Sequence, residues 1–312
     1  MHGLLQTSMI FVASGDESLA IQLALSGYDV WFGNNRGNKH SRKHATLSPD
    51  DDLFWSWSID ELARYDLKTL VTHVLASTNK DRQKLVLCGH SQGAAQAMAA
   101  IASQDDAGWW DDRISLFIAM SMSGQIRGFY RWPMMLVQWL YSCHPETFFA
   151  LYGEGAFLGS LEAWQTLFSL NILTYMEACF YTELLGWSTE QWSWQTSKNY
   201  FAETPGGTSC QIVSHWMQSA VTGEFTTYAR HHWKAKTVPY RLESLSLPVC
   251  VVLGSRDDLI NTEALLSQLP NIVHRIIVPH HGHMDNLCGA DAGKYISRPL
   301  VDLLNKRHKN KE

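Results

Sequence analysis

The sequence lacks the cysteine spacing of a disulfide-rich or zinc-binding protein. Its six cysteines are scattered along 312 residues, with no Cys-x-x-Cys pair. Cys88 and Cys250 lie within apolar runs, as small core residues do. The pattern therefore requires no oxidising compartment, and isolated disulfides stay open as an alternative.

Charge is also scarce, and long apolar runs are absent. Charged residues make up 18% of the chain and the formal net charge is −5, which gives no reason to expect nucleic-acid binding. The one basic run, residues 306–311, is interpreted as a solvated end.

No apolar run is long enough to span a bilayer, and no signal peptide is visible. Because the chain opens directly on a predicted active-site loop, we expect the natural protein to extend further upstream.

Apolar residues are abundant, at 46%, and short apolar runs alternate with helical patterns. The predicted strands are 28–32, 84–88, 113–121, 248–254 and 273–278, and the predicted helices are 16–27, 59–75, 94–102, 262–269 and 291–305. This alternation predicts an α/β fold with a mostly parallel sheet covered by helices on both faces. Between 124 and 245, aromatic residues, Met and Leu recur at helical spacing, so we predict a core formed by 1–123 and 246–312 and an inserted helical cap over 124–245.

The segment Cys-Gly-His-Ser-Gln-Gly, residues 88–93, joins a predicted strand to a helix of small residues. Gly-x-Ser-x-Gly at a strand–turn–helix junction is the nucleophile elbow of the α/β-hydrolases. Both glycines must be small there for strand and helix to approach closely. The position predicts Ser91 as a nucleophile, and the alternative is a Gly-Ser turn with no chemical role.

A serine hydroxyl needs a base, and that base needs an orienting acid. In α/β-hydrolases the acid and then the histidine follow the serine along the chain. Asp257 and Asp258 follow a late strand, and either could instead cap a helix. The loop after the next strand supplies His280, His281 and His283. A metal ion held by these three histidines is the alternative, but no acidic or cysteine partner has motif spacing to them, so we predict no metal.

Two backbone N–H groups are expected to stabilise the oxyanion of an acyl-transfer reaction. Gln92 directly follows the serine and supplies one. His2-Gly3-Leu4 matches the His-Gly loop that supplies the second, with Leu4 as donor. An arbitrary N-terminal dipeptide is the alternative for this last assignment.

Several longer stretches carry a resemblance to a known family. They are residues 2–8, 27–38, 41–44, 54–61, 65–67, 89–93, 205–209, 215–216, 254–259 and 283–285. On these residues the chain resembles the acid lipase family of α/β-hydrolases, which includes lysosomal acid lipase, gastric lipase and fungal steryl ester hydrolases.

The resemblance implies that Ser91 is the nucleophile, Asp257 the acid and His283 the base, with Leu4 and Gln92 as oxyanion donors. It implies hydrolysis of neutral lipid esters (triacylglycerols or steryl esters) without a cofactor, under a mobile helical lid that opens at lipid surfaces. A catalytically inactive lipid- or membrane-binding homologue is the competing hypothesis, and a thioesterase or peptidase on the same fold is a third.

The chain departs from the family in two ways. The first strands before the His-Gly loop are missing, so we expect one sheet edge and the strand anchoring Leu4 to be absent. The cap also lacks the close cysteine pair of secreted members, which favours an intracellular lipid droplet, membrane or lysosomal setting. Within the cap, the helix 132–141 is expected to pack in the cap core on one face and to meet the acyl chain or a lipid surface on another.

Overall fold

The computed structural model describes residues 1–78, 83–103, 107–157, 159, 165, 167–230 and 237–309. Parts of the predicted cap, and the last two residues of the basic run, lie outside these ranges. The α-helices are Leu19–Leu25, Ile59–Glu61, Leu67–Thr78, Gln92–Ile101, Ala107–Arg113, Trp132–Cys143, Pro145–Tyr152, Leu170–Phe180, Trp194–Phe201, Cys210–Thr222, Thr262–Gln268, Asp285–Cys288 and Arg298–Lys309. A π-helical turn, Leu62–Asp66, joins the second helix to the third. Another, Gly293–Ser297, leads into the last helix.

Four parallel strands form the sheet of the described residues: β1 (Leu85–His90), β2 (Ile114–Met120), β3 (Val249–Gly254) and β4 (Ile272–Val278). They lie side by side in the order β1-β2-β3-β4. Because the strands are parallel, the loops that follow all four leave from the same edge of the sheet. The fold class predicted from the alternation is confirmed.

The alternating side chains of β2 explain why both faces of the sheet are covered. Phe117 and Ala119 belong to one buried cluster together with the helix after β1. Leu116, Ile118 and Met120 belong to a second cluster, together with the C-terminal helix. Burial of each face removes apolar area from water, which contributes about 25 cal/mol per Å². The fully buried stretch of β2, residues 116–120, is accordingly apolar, and the polar Ser115 is only half-buried.

The predicted strand 28–32 is wrong, because these residues form no strand in the structure. Two of its large side chains, Trp31 and Phe32, are exposed. An apolar run becomes a strand only where a neighbouring strand offers hydrogen-bond partners. Met1 is hydrogen-bonded to Cys88 and His90 of β1, and its side chain lies beside Gly33, so Met1 occupies a position next to β1.

The helix Trp132–Cys143 has one packed face and one exposed face. Tyr141 is buried in a cluster with Phe148 and Cys210. Trp132 and Trp139 are 74% and 60% exposed. Among the described residues, no helix is both long and apolar enough to cross a membrane.

All six cysteines are free thiols. Cys250 is buried in the core as predicted, whereas Cys88 is half-buried.

One partly buried carboxyl group, that of Glu177, gives the protein's stability a testable pH dependence. Burial raises the pKa of Glu177 to about 8 from a usual value of 4.5, although the Thr204 hydroxyl donates to it at 3.0 Å. Between these values the folded protein binds the additional proton, so this group's contribution to stability falls as pH rises through that window. Glu177→Gln is therefore expected to raise Tm at pH 8 relative to the unmodified protein and to change it little at pH 4.5.

Thermal unfolding followed by circular dichroism at both pH values measures this effect. The exposed Glu183, changed to Gln, is the control and should leave the pH profile as it was. Equal shifts of Tm at pH 4.5 and pH 8 in the Glu177 variant would contradict the assignment.

Candidate active site

Ser91 stands at the turn between β1 and the helix Gln92–Ile101 with an unusual backbone conformation. Its φ of 53° and ψ of −119° lie where L-residues are rarely found, at a cost of about 1–3 kcal/mol. The turn is held because its own N–H donates to Met120 O at 2.9 Å. A Cβ on Gly89 would lie 2.6 Å from the Gly93 carbonyl oxygen, so strand and helix touch through their glycines.

Met1 packs against the other side of this turn. Its amino group donates to Cys88 O at 2.6 Å, and the His90 N–H donates to Met1 O at 3.0 Å. A Cβ on Gly93 would overlap the carbonyl oxygens of Met1 and His2. The absence of a side chain at Gly93 therefore lets the N-terminal segment approach the turn that holds Ser91.

The structure brings Ser91, His283 and Asp257 together. His283 Nε2 lies 2.8 Å from Ser91 Oγ, and His283 Nδ1 lies 2.8 Å from Asp257 Oδ2. All three residues are buried. Because an ionised carboxylate only accepts, Nδ1 carries the proton and Nε2 is free to accept from the serine hydroxyl. Asp258, the other candidate acid, is exposed and lines the cavity beside His283.

The three histidines of the loop after β4 do not converge on one point. His280 Nε2 lies 2.6 Å from Asp291 Oδ2, and His281 Nε2 lies 2.8 Å from Asp291 Oδ1, whereas His283 faces Ser91. Among the described residues, His280, His281 and Asp291 are the only group with potential metal-ligand spacing. No sequence motif marked Asp291 as a partner of these histidines, because its spacing from them matches no recognisable pattern.

The predicted oxyanion donors lie on the two segments that flank the serine. Gln92 is the first residue of its helix, and N–H groups in the first turn have no acceptor within the helix. Leu4 follows Gly3, whose Cβ would lie 3.0 Å from Ser91 Cβ. Gln6 Oε1 accepts from the Gly3 N–H at 2.8 Å and fixes this loop. The roles of Leu4 and Gln92 stay predictions.

Two further histidines beside the site are held neutral by burial. Desolvation lowers the pKa of His2 to about 4 and that of His90 to about 3. The second shift is reinforced by the neighbouring His283. His90 Nε2 lies 3.3 Å from His283 O, and its Nδ1 lies 3.4 Å from Gln6 Oε1. A neutral ring has one N–H and both partners are acceptors, so only one of these contacts is a hydrogen bond at neutral pH.

Trp187 covers the other face of the catalytic site. Its ring stacks on the His283 ring at a centroid separation of 4.9 Å and an interplanar angle of 26°. Ser91 is 8% exposed, and a cavity of about 360 Å³ opens beside Trp187 and His283. No sequence signal distinguished Trp187 from the other aromatic residues of the predicted cap.

The sequence pattern of the alpha/beta hydrolase family matches residues 2–292. Over 319 residues the chain is 31% identical to a probable lipase of Schizosaccharomyces pombe, covering 98% of this chain and 70% of that protein. The chain is an α/β hydrolase of the acid lipase family. It is also 28% identical over 327 residues to gastric triacylglycerol lipase of Homo sapiens, covering 99% of this chain and 79% of that protein. The family resemblance expected from the motifs is confirmed.

Solved structures share the fold of this hydrolase at low sequence identity. A peroxisomal α/β-hydrolase of Saccharomyces cerevisiae superposes with a TM-score of 0.54 at 14% identity, covering 99% of this chain and 76% of that one. A bromoperoxidase of Bacillus anthracis gives 0.53 at 16% identity, covering 97% and 90%. Such different activities on one fold mean that the likeness establishes architecture and not substrate.

The packing at the elbow predicts that Gly93→Ala is strongly destabilising. The new methyl group must displace the backbone of Met1 and His2, because it would overlap their carbonyl oxygens. We expect a loss of about 1–3 kcal/mol in the free energy of unfolding, measured by chemical denaturation.

Gly108→Ala is the matched control for this change. Gly108 lies in the helix Ala107–Arg113, and within the described part of the chain a Cβ there would meet no atom within 4 Å beyond its chain neighbours and its own helix backbone. Alanine there should be neutral or stabilising. If both variants unfold at the same denaturant concentration, the close approach at Gly93 does not contribute to the free energy of unfolding.

Proposed function

We propose that this hydrolase cleaves carboxylic esters of neutral lipids, triacylglycerols or steryl esters, through an acyl-enzyme on Ser91. The observation that carries the proposal is the chain of two hydrogen bonds from Ser91 through His283 to Asp257, each 2.8 Å long. The kinship with lipases of fungi and mammals supports an ester substrate.

In the first step, His283 Nε2 takes the proton of Ser91 as Oγ attacks the ester carbonyl carbon. Asp257 accepts from Nδ1 and stabilises the imidazolium that forms. His283 then gives the proton to the leaving alcohol, and the acyl group stays on Ser91. In the second half, His283 takes a proton from water as the water oxygen attacks the acyl carbon. His283 then returns this proton to Ser91 Oγ as the bond between Oγ and the acyl carbon breaks and the fatty acid leaves.

Negative charge develops on the carbonyl oxygen at each attack. We assign its stabilisation to the backbone N–H groups of Gln92 and Leu4. The start of the helix Gln92–Ile101 adds a favourable dipole at this point. Each donor of this kind raises kcat by about 10²–10³. The hydrogen bond from the Gly3 N–H to Gln6 Oε1 holds the Leu4 loop in place, which supports the assignment.

The cap residues favour a lipid over a peptide or thioester. Trp187 lies on His283, and the serine beneath is 8% exposed. A long acyl chain therefore needs the Trp187 segment to move before it reaches Ser91. We assign residues 124–245 to this cap, and the exposed Trp132 and Trp139 to its contact with a lipid surface.

The triad predicts that Ser91→Ala lowers kcat by about 10⁴ or more on a p-nitrophenyl ester, because the nucleophile itself is lost. A fluorophosphonate probe, which modifies only an activated serine, should label the unmodified protein and not this variant. Mass spectrometry of the labelled peptide identifies the residue.

Ser123→Ala is the control for this experiment. Ser123 is buried and follows β2 closely in sequence. Its hydroxyl has no hydrogen-bond partner within the described part of the chain. Full labelling is expected for it. An unmodified protein that binds lipid vesicles but is never labelled would favour the inactive lipid-binding homologue instead.

The exposed face of the helix Trp132–Cys143 generates a separate prediction. Replacing both Trp132 and Trp139 by Ala should lower the rate on emulsified triolein at least about fivefold, because apolar area is lost from the contact with the lipid surface. A short soluble ester needs no such contact and should be hydrolysed as before. Trp31, 44% exposed and outside the cap, supplies the control Trp31→Ala. Equal losses in the two proteins would refute the assignment of this face.

A further inference from the structure

Side chains outside the triad form a continuous hydrogen-bonded chain that ends on the backbone of His283. Ser121 Oγ lies 2.8 Å from the His283 carbonyl oxygen, and Asn286 Nδ2 lies 2.8 Å from Ser121 Oγ. Asn286 Oδ1 lies 3.1 Å from His281 Nδ1, and His281 Nε2 lies 2.8 Å from Asp291 Oδ1. Ser121, Asn286 and His281 are buried, and Asp291 is half-buried.

Chemistry fixes the direction of each bond in this chain. A carbonyl oxygen only accepts, so the Ser121 hydroxyl donates to His283 O. That hydroxyl oxygen then accepts from the amide NH2 of Asn286, which turns Asn286 Oδ1 toward His281. His281 Nδ1–H must therefore donate to Asn286. The other ring nitrogen faces the Asp291 carboxylate, which also only accepts, so both contacts are hydrogen bonds when each nitrogen of the His281 ring carries a proton.

Ser121 reaches His283 from a strained position. It follows β2 with a φ of 43°, in the left-handed region that disfavours a non-glycine residue, and it is fully buried. Its own N–H donates to Val252 O at 2.9 Å, which ties it to β3. Backbone strain of this kind persists where surrounding contacts over-determine the conformation, and it clusters at functional sites.

We propose that Ser121, Asn286 and His281 are positioning residues that set the placement of the catalytic imidazole through the His283 carbonyl. The proposal rests on the proposed function of Ser91 and His283. The imidazole must meet Ser91 Oγ and Asp257 Oδ2 at once, both at 2.8 Å. A shift of its backbone lengthens at least one of these contacts, and a misplacement of about 1 Å can cost about 10²-fold in rate.

The first test compares two buried serines two residues apart. Ser121→Ala removes the donor to His283 O, whereas Ser123→Ala removes a hydroxyl with no partner in the described ranges. For Ser121→Ala we expect kcat on a short soluble p-nitrophenyl ester to fall about 10- to 100-fold with KM unchanged. The rate of fluorophosphonate labelling should fall in proportion. Ser123→Ala should keep both rates.

A second variant guards against a simple folding defect. Asn286→Asp keeps the size of the side chain but replaces the amide donor by a carboxylate oxygen, which breaks the link to Ser121. If both residues act through one chain, the double variant should lose little more activity than either single variant. The far-downfield proton resonance of the His283 Nδ1–H should shift in each, at a temperature where all variants are folded by circular dichroism.

Several outcomes overturn the proposal and can be told apart. Equal kcat for Ser121→Ala and Ser123→Ala, with the unmodified protein labelled, overturns the positioning role alone. An unmodified protein that is never labelled overturns the proposed function and this proposal with it. One divalent metal ion per chain in the purified protein would make His281 a metal ligand, and would overturn the directed chain of donors.

Discussion

The site depends on the close contact between Gly89 and Gly93, on either side of Ser91. Because neither residue has a side chain, β1 and the following helix approach until a Cβ on Gly89 would meet Gly93 O at 2.6 Å. That approach forces Ser91 to a φ of 53° and turns its hydroxyl away from the sheet toward the loops. The strained backbone of Ser91 is stable only while the strand, the helix and Met1 hold it in place.

The order of the strands explains why the base needs support of its own. Ser91 follows β1 and His283 follows β4, three strands away in the sheet. At a spacing of about 4.8 Å between strands, the loop after β4 must reach across about 14 Å. Ser121 follows β2, which lies on this path, and its hydroxyl meets the His283 carbonyl at 2.8 Å. The intermediate strand thus supplies a fixed contact for a loop that extends far from its own strand.

Local signals were enough to predict the strand–turn–helix at Ser91 and the order in which Asp257 and His283 follow, because each depends on a few adjacent residues. They failed at 28–32, whose apolar pattern suits a strand but which forms none in the structure, because a strand also needs a neighbouring strand to pair with. They also failed for Trp187, because its contact with His283 joins segments distant in sequence. They failed for the partners of His281 because Asn286 and Asp291, although near in sequence, follow no recognisable motif spacing. Asp291 pairs with two histidines only after the turn of the loop brings them together.

The triad is already assembled beneath its cover, with both hydrogen bonds at 2.8 Å while Ser91 is 8% exposed. On the proposed function, substrate binding therefore has to move Trp187 and does not have to build the catalytic geometry. Moving Trp187 exposes its ring and the His283 ring beneath it, which costs free energy in water. A lipid surface lowers that cost because it accepts apolar side chains. The exposed tryptophans of the helix Trp132–Cys143 lie in the same segment, 124–245, that we assign to a cap. On the proposed function, we therefore infer that contact with a lipid surface favours uncovering of the serine.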